Sequence, residues 1–360
     1  MNRCQYRNIF VHHMFGGIGD FIMGTSAINM IKSVYPEVKI TVLAPFPATD
    51  IVKNNPAVDN VITLKYKSGS VSLVKEIRLI QQLRGAKYDL SLSFDCKDRF
   101  ALATFFASIP TRVGANKINH EKPNWTLASK LYTHEVKIPY DLATVHQTKV
   151  YQHLVSAFLG IEPKHYKPLS IIPTSSDQQK ALSLMNSLPK SKIRIAYCIK
   201  GKDDKKLNQP GKAREKDWPA SSFVKLMNIV GDHFDATQFV VGVQSDHQYI
   251  ERIREEAKVP VYNLAGTTNL MELAAVLQSV DLLITVDTGI MHIAAGLDVP
   301  TVAIFKQSLP VKWAPCNPYA TVVYQDGLVK NLPKDLECTL TVSRDLSVED
   351  VADAVMKRFC

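Results

Sequence analysis

The sequence predicts an α/β protein with two doubly wound, Rossmann-like domains that face each other across a cleft. The chain has 360 residues, more than one ordinary domain contains. Short apolar runs alternate with segments of helical periodicity, the pattern of parallel strands joined by crossover helices. This alternation is interrupted around residues 172–192, where proline and serine accumulate, and then it begins again. Two domains of the same type follow from these observations.

The interruption defines the expected domain boundaries. We expect an N-terminal domain over residues 1–175 and a hinge region over 176–192. A C-terminal domain should follow over 193–345, and a terminal helix over 346–360. In doubly wound sheets, ligands bind at the carboxyl ends of the strands. Residues that directly follow strands are therefore the functional candidates.

The apolar periodicity places the individual elements in order. In the first half, strands are expected at 8–14, 39–44, 61–64 and 88–94, with helices at 21–34, 48–54 and 73–83. In the second half, strands are expected at 193–197, 238–243, 261–264, 282–286 and 301–305. Helices are expected there at 221–232, 247–257, 270–279, 290–297 and 348–359.

Charge and hydropathy narrow the functional classes. The net charge is +9, but the basic residues are dispersed and no aromatic-interleaved basic tract occurs, which argues against nucleic acid. An anionic substrate or an acceptor at a membrane surface fits the charge better. No apolar run approaches the roughly 20 residues that span a bilayer, and the first residues lack the apolar core of a signal peptide. We expect a cytoplasmic protein.

The sequence contains no pattern typical of a metal site. The six cysteines are scattered and no C-x-x-C spacing occurs, so they are interpreted as reduced thiols. His12 and His13 lie within a strand and are interpreted as core or edge residues. Asp95 and Asp98 follow a strand, but no third ligand is evident. We predict that no metal is bound.

A glycine-rich loop, residues 16–20, joins the first strand to the first helix. Gly17 and Gly19 permit a tight turn and close approach of a substrate to the backbone. The loop does not fit a dinucleotide site, because Ile22 occupies the third glycine position and no acidic residue ends the second strand. Asp20 stands at the start of the helix. It is either a helix cap or a general base that deprotonates an acceptor hydroxyl, and the two roles are compatible.

Two further loops of the second half point to a phosphorylated ligand. Asp287-Thr288-Gly289 follows a strand and opens a helix, which presents backbone N–H groups and the positive end of the helix dipole to a diphosphate. His292 lies one turn into that helix, where a structural hydrogen bond is the commoner role. The basic loop from 198 to 218 suits a phosphate clamp, and Lys216 is its best candidate because Trp218-Pro219 anchors the segment beside it.

Taken together, these motifs resemble glycosyltransferase family 9, the ADP-heptose:lipopolysaccharide heptosyltransferases, along nearly the whole chain. The matching stretches are Gly17-x-Gly19-Asp20 with Thr25-Ser26-Ala27-Ile28, residues 83–90 with Arg112-Val113-Gly114, residues 264–267 and 270–277, and residues 287–297 followed by Val299-Pro300. The strongest block comprises residues 264–267, 270–277 and 287–297 with Val299-Pro300; this turn motif with its flanking helices is far more specific than any single piece.

The resemblance implies a GT-B fold, an inverting mechanism and no need for a metal or other cofactor. It implies that Asp20 is the catalytic base and that Lys216 contacts the donor diphosphate. Thr288 and Gly289 match diphosphate contacts, whereas Asp287 and His292 match residues around the donor sugar. Asp246 falls where the family has an acidic residue near the nucleotide ribose.

The expected function is transfer of heptose from ADP-heptose to the lipopolysaccharide inner core at the inner face of the inner membrane. The partners would be that nucleotide sugar and a lipopolysaccharide core precursor. Three alternatives stay open from the residues: a transferase of the same fold that uses another nucleotide sugar, a nucleotide-sugar epimerase, and a non-catalytic nucleotide-binding protein.

Overall fold

The structure is a computed structural model that describes residues 5–13, 17–64, 73–95, 97–118, 127–162, 171–199, 218–329 and 336–359. The chain forms two compact units, Met1–Ser170 and Ile171–Cys360. Each unit is an α/β layer structure around one parallel sheet, so the predicted pair of doubly wound domains is confirmed. The predicted hinge region begins within a helix of the second unit, and its role in motion stays a prediction.

The described part of the first unit contains six strands and five α-helices. The strands are β1 (Asn8–His12), β2 (Lys39–Pro45), β3 (Asn60–Leu64), β4 (Leu90–Ser93), β5 (Thr111–Ala115) and β6 (His134–Val136). The helices are α1 (Ile18–Val34), α2 (Ala48–Val52), α3 (Leu73–Ala86), α4 (Asp98–Phe106) and α5 (Gln147–Leu159). A short 3-10 helix covers Leu127–Leu131.

The six strands are all parallel and lie in the order β3-β2-β1-β4-β5-β6. Strands β1 and β4 are buried along nearly their full length because helices cover both faces of the sheet, which explains their continuous apolar character. Helix α1 lies close to β1 at Gly24, where a methyl group would lie 2.8 Å from Nδ1 of His13. This close approach packs the second turn of α1 against the residue that directly follows β1.

The described part of the second unit contains seven strands and seven α-helices. The strands are β7 (Ile193–Cys198), β8 (Ala236–Val240), β9 (Val261–Asn263), β10 (Leu282–Val286), β11 (Thr301–Phe305), β12 (Ala320–Gln325) and β13 (Thr339–Ser343). The helices are α6 (Ser175–Asn186), α7 (Ala220–His233), α8 (His247–Glu256), α9 (Leu270–Leu277), α10 (Gly289–Gly296), α11 (Pro310–Trp313) and α12 (Val348–Phe359).

The second sheet is also parallel throughout, in the order β13-β12-β11-β10-β7-β8-β9. The terminal helix α12 packs on α7 and on strands of this sheet. Trp218 is buried, and its Nε1–H donates to the carbonyl of Leu346 at 2.8 Å, which ties the start of α7 to the chain before α12. Among the described residues, no helix combines the length and the apolar character needed to cross a membrane.

Candidate functional site

The two central strands of the second sheet, β7 and β10, define its topological switch point. The chain passes from β7 to β8 on one side, and from β10 to β11 on the other. In this topology the connections diverge and leave a crevice at the carboxyl ends of the two strands, where ligands bind. Cys198 and Thr285 are register partners at those ends. The candidate site of the second unit is therefore at Cys198, Thr285 and the residues that follow them.

Thr288 lies directly over this switch point. It is the N-cap residue of α10, and its backbone is extended (φ −144°, ψ 166°). Its side chain makes no capping hydrogen bond; instead its hydroxyl oxygen is 3.3 Å from Thr285 Oγ1 and 3.8 Å from Cys198 Sγ. The sequence did not single out Thr285 or Cys198, although both are the last polar side chains of adjacent central strands.

The first turn of α10 provides the features of an anion site. Asp287, Thr288 and Gly289 are half-buried and consecutive at the end of a fully buried strand. The free N–H groups of a first helical turn and the helix dipole favour a negatively charged ligand there. His292, one turn further along, is buried with 3% of its surface exposed. The structure thus brings the predicted Asp-Thr-Gly turn to the switch point, while the ligand contacts of all four residues stay predictions.

Asp246 ends a short 3-10 helix, Gln244–Asp246, that follows β8. It is 6% exposed, and its Oδ2 accepts the backbone N–H of Val243 at 3.2 Å. Its position after the strand next to β7 places it along the same edge of the sheet as Thr288. The predicted ribose contact is neither supported nor contradicted by this capping role.

Two glycines hold the loops after β8 and β9 together, and the sequence did not predict their role. The backbone N–H of Gly266 donates to the carbonyl of Gly242 at 3.0 Å. Gly266 has φ +78°, and a methyl group there would overlap Gln244 Oε1 and lie 2.9 Å from the Cα of Gln244. A methyl group on Gly242 would lie 3.2 Å from Oδ2 of Asp246. Gly266 therefore needs glycine for the Asp246 loop to keep its shape, whereas a side chain at Gly242 would press on Asp246.

Hydrogen bonds of Asn263 stabilise the same region. Its side-chain amide donates to Glu251 Oε1 at 2.6 Å and to the carbonyl of His247 at 3.1 Å, and its Oδ1 accepts from the backbone N–H of Ala265 at 3.0 Å. The hydrogen bond from Asn263 lowers the pKa of Glu251, and Arg254 lowers it further, against the opposing effect of burial. Glu251 is therefore a carboxylate at neutral pH.

Lys216 and most of the basic loop from 198 to 218 lie outside the described residues. The clamp assignment therefore stays a prediction. The described residues on either side fix the two ends of the loop. Cys198 ends β7 at the switch point, and the buried Trp218 precedes α7.

The acceptor-side loop of the first unit leads into α1 after β1. Helix α1 begins at Ile18, three residues earlier than the periodicity predicted, so Gly17 is the N-cap and Asp20 is the third helical residue. Asp20 Oδ2 accepts the backbone N–H of Gly17 at 3.0 Å, which is the return half of a capping box. Asp20 is half-buried and Gly19 is buried. The capping role is thus observed, and the role as a base stays a prediction.

The switch point of the first sheet, between β1 and β4, contains a buried polar pair. His12 Nδ1 is 3.3 Å from Asp95 Oδ1, and both side chains are fully buried. Ser93 Oγ lies 3.5 Å from the same carboxylate oxygen and accepts the hydroxyl of Tyr132 at 3.0 Å. His12 and Asp95 are far apart in the sequence and become neighbours only because β1 and β4 are adjacent in the sheet. No cluster of three or more His, Cys, Asp or Glu side chains suited to a metal occurs in the described ranges.

Two units of Rossmann-like topology, each built on one parallel sheet, are the architecture of the GT-B fold. The family model of glycosyltransferase family 9 (heptosyltransferase) matches residues 76–340. The chain therefore belongs to this family and is a glycosyltransferase. This settles the choice between a transferase and an epimerase that the residues alone had left open.

Relatives and solved structures agree with the family. Lipopolysaccharide heptosyltransferase 2 of Salmonella typhimurium is 25% identical over 324 residues, which is 85% of each chain. The crystal structure of a family 9 glycosyl transferase from Veillonella parvula superposes with a TM-score of 0.80 at 19% identity, over 98% of this chain and 97% of the other. The E. coli ADP-heptose lps heptosyltransferase II superposes with a TM-score of 0.75 at 19% identity, over 98% of both chains. These structural likenesses establish the fold.

Proposed function

We propose that the protein transfers heptose from ADP-heptose to an acceptor of the lipopolysaccharide inner core, with inversion at the anomeric carbon. The observation that carries this proposal is the family match over residues 76–340, together with a relative named lipopolysaccharide heptosyltransferase 2 that aligns over 85% of the chain. The switch-point geometry of the second unit supports it, since a strand end opening a helix suits the diphosphate of such a donor.

On the donor side, the leaving group is ADP, and its developing negative charge must be stabilised. Thr288 and Gly289 would contact the diphosphate at the start of α10, and Lys216 would add a positive charge. Asp246 would contact the ribose, whereas Asp287 and His292 would border the sugar. We propose that these groups suffice without a metal, because a helix N-terminus and a lysine together provide the positive potential that a divalent ion would otherwise provide.

On the acceptor side, Asp20 would act as the general base. The acceptor hydroxyl oxygen forms a bond to the anomeric carbon of the heptose, its proton passes to the Asp20 carboxylate, and the bond from that carbon to the diphosphate oxygen breaks. The hydrogen bond from Gly17 holds the carboxylate in place at the start of α1. Gly17 and Gly19 would leave space for the acceptor to reach it, since neither carries a side chain.

The acceptor implies a location. A lipopolysaccharide core precursor is anchored in the membrane by its lipid portion, and its nucleotide-sugar donor is cytoplasmic. We therefore propose that the protein works at the cytoplasmic face of the inner membrane as a peripheral protein.

Ligand-induced thermal stabilisation is the first test. The full chain is heated with ADP, UDP, GDP, CMP or NAD at about 100 times the expected dissociation constant, where a true ligand adds about 2.7 kcal/mol. A rise in Tm with ADP alone supports the donor. A rise with UDP or GDP alone keeps the transferase but replaces its nucleotide sugar, and a rise with NAD alone contradicts the proposal. Product analysis with ADP-heptose and a core acceptor then tests the transfer, because heptosylated acceptor and ADP must appear in equal amounts.

A further inference from the structure

Exposed apolar side chains are concentrated on two consecutive helices of the first unit. Among the described residues, thirteen large hydrophobic side chains are strongly exposed, and six of them lie on α3 and α4. We call these six residues the α3–α4 face; they are Leu73, Val74, Ile77, Leu102, Phe105 and Phe106. The exposed fraction is 74% for Leu73 and 50% for Phe106. Single exposed apolar residues need no explanation, but a cluster of this kind marks an interaction surface.

Contacts between the two helices indicate that their exposed apolar residues lie on neighbouring helices of one surface. Near the start of both helices, Arg99 Nε donates to Glu76 Oε2 at 2.8 Å. Near their ends, a guanidinium N–H of Arg84 donates to the carbonyl of Phe106 at 2.5 Å. The helices therefore run side by side in the same direction. Helical spacing places Leu73 and Ile77 on the side of α3 that faces α4, next to Leu102 and Phe106.

Basic residues surround this surface. The exposed residues of α3 include Lys75, Arg78 and Arg84, and the guanidinium of Arg112 lies 5.4 Å from the ring centre of Phe105. The acidic Glu76 is paired with Arg99, so its charge is compensated. Over residues 73–87 the chain carries four basic residues and one acidic residue, a net charge of +3. An apolar surface with a basic border is complementary to the headgroup region of a membrane with anionic lipids.

We propose that the α3–α4 face docks on the surface of a bilayer that contains anionic phospholipids. The leucine, isoleucine and phenylalanine side chains enter the boundary between headgroups and acyl chains, while the lysines and arginines contact lipid phosphates through their long stems. Lysine is depleted in protein–protein interfaces, whereas lysines and arginines beside an apolar surface favour anionic lipids. This surface would hold the protein at the membrane, the location proposed above. Binding of the face to lipid does not depend on whether the protein transfers a sugar.

The test is co-sedimentation of the full chain with lipid vesicles, in the absence of nucleotides. Vesicles of phosphatidylethanolamine and phosphatidylglycerol are compared with vesicles of phosphatidylcholine alone. We expect binding to the anionic vesicles, weaker binding to the neutral ones, and a decrease as salt is raised, because the basic residues contribute electrostatically. The double variant I77S/F106S should lose about tenfold or more in partition coefficient, since two apolar side chains no longer enter the lipid.

The matched control is the double variant L182S/V342S, which removes two apolar side chains of the second unit that are more exposed than Ile77 and Phe106. It should bind vesicles as the wild type does. The charge variant K75E/R78E should weaken binding to anionic vesicles only, and its Tm shows whether the fold is intact. Equal binding by I77S/F106S and the wild type overturns the proposal, as does a wild type that binds no anionic vesicles. If neither protein binds vesicles, and the wild type is a dimer whereas I77S/F106S is a monomer, the α3–α4 face mediates self-association instead.

The result of the vesicle experiment can be distinguished from the result of a test of the proposed transferase activity. Turnover of ADP-heptose with a soluble, lipid-free acceptor fragment does not involve the membrane. I77S/F106S should therefore keep wild-type turnover in that assay while losing vesicle binding. If the wild type binds anionic vesicles but never transfers heptose, the proposed function fails and the docking surface stands.

Discussion

The two units share a strand order but differ in what they present at their switch points. In each sheet, the strand that comes first in the chain lies between the second and the fourth strands of that unit. In the first unit, the edge between β1 and β4 contains a histidine–aspartate pair, and Asp20 follows on α1. In the second unit, the corresponding edge between β7 and β10 contains a thiol and two hydroxyls, and the helix after β10 begins with glycine.

Under the proposed function, the same topology serves two kinds of chemistry. Side chains that exchange protons suit an acceptor whose hydroxyl must be activated. Small side chains and exposed backbone N–H groups suit a diphosphate, because phosphate oxygens then approach the main chain closely. The comparison predicts that variants of the first unit change turnover at constant donor affinity. Variants around the switch point of the second unit should change donor affinity or the stability of that unit.

The largest effect is expected for Asp20→Asn. Asparagine keeps an oxygen that accepts the N–H of Gly17, so the cap is preserved while the basic group is lost. Turnover should fall by about 10²–10⁴-fold, the usual contribution of a general base, with ADP affinity unchanged. Steady-state kinetics and calorimetric ADP titration measure the two quantities.

Asp177→Asn is the matched control for this variant. Asp177 is also the third residue of its helix, and its Oδ2 accepts the N–H of Thr174 at 2.8 Å, as Asp20 does for Gly17. Its substitution should leave turnover unchanged. Equal losses in the two variants, or wild-type turnover in Asp20→Asn, would remove Asp20 as the base.

Gly266→Ala should be the next largest effect. A left-handed backbone and contact with Gln244 together predict a loss of about 2–4 kcal/mol in the free energy of unfolding. Gly327→Ala is the control, because φ is +83° there but nothing lies within 4 Å of the added methyl group, so only about 1–2 kcal/mol is expected. Chemical denaturation of both variants tests the difference. A Gly266→Ala variant no less stable than Gly327→Ala would contradict the packing described for the Asp246 loop.

Lys216→Ala should weaken ADP binding by about tenfold, the equivalent of one charge-assisted contact of about 1.4 kcal/mol. Lys225→Ala removes an exposed lysine of α7 in the same unit and should have no effect on ADP binding. Calorimetric titration of both variants with ADP measures the contrast. An unchanged affinity in Lys216→Ala would refute the phosphate clamp.

The smallest effect concerns the contact between α6 and α9. Lys180 Nζ donates to Glu272 Oε1 at 2.6 Å, and Glu272 Oε2 accepts the backbone N–H of Asn269 at 2.8 Å. Burial of Glu272 acts to raise its pKa, but these hydrogen bonds hold that pKa below its usual value; the hydrogen bond to Glu272 also raises the pKa of Lys180. A lowered carboxyl pKa stabilises the folded state above the ordinary carboxyl pKa, and this stabilisation is lost as pH falls through the folded-state value.

Glu272→Gln should therefore lower Tm at pH 7 by a few degrees, roughly, and the difference from wild type should shrink towards acid pH. The exposed Glu255→Gln provides the baseline for this pH series. A difference in Tm that is the same at all pH values would show that the charge of Glu272 contributes nothing.

Much of the fold follows from the sequence because buried parallel strands are continuous apolar runs. Strands β10 and β11 and helix α12 have the predicted bounds, and the chain forms two α/β units as the sequence predicted. Strands β5, β6, β12 and β13 were not predicted; among them, β6 and β13 are edge strands with partly exposed patterns. The start of α1 was placed too late, because Gly17 and Gly19 weaken the helical signal while Asp20 stabilises the first turn through the backbone.

The sequence predicted those parts of the candidate site that are contiguous in the chain, and missed those that join distant residues. Local motifs such as Asp287-Thr288-Gly289 are contiguous, so the sequence reveals them directly. The His12–Asp95 pair and the Cys198–Thr288 contact each join residues more than eighty positions apart, and only the strand order brings them together. Gly266 could have been suspected from its place in the family-like stretch 264–267, but its positive φ and its contact with Gln244 required coordinates.

Each unit is one uninterrupted stretch of chain, with the division after Ser170. During synthesis from the N-terminus, the whole of the first sheet leaves the ribosome before any strand of the second has been made. Parallel sheets fold slowly because their contacts are distant in sequence, and at about 5–20 residues per second translation of the second unit takes roughly 10–40 seconds. The first unit therefore has that interval in which to fold alone, so nascent chains should acquire their protease-resistant half before translation ends.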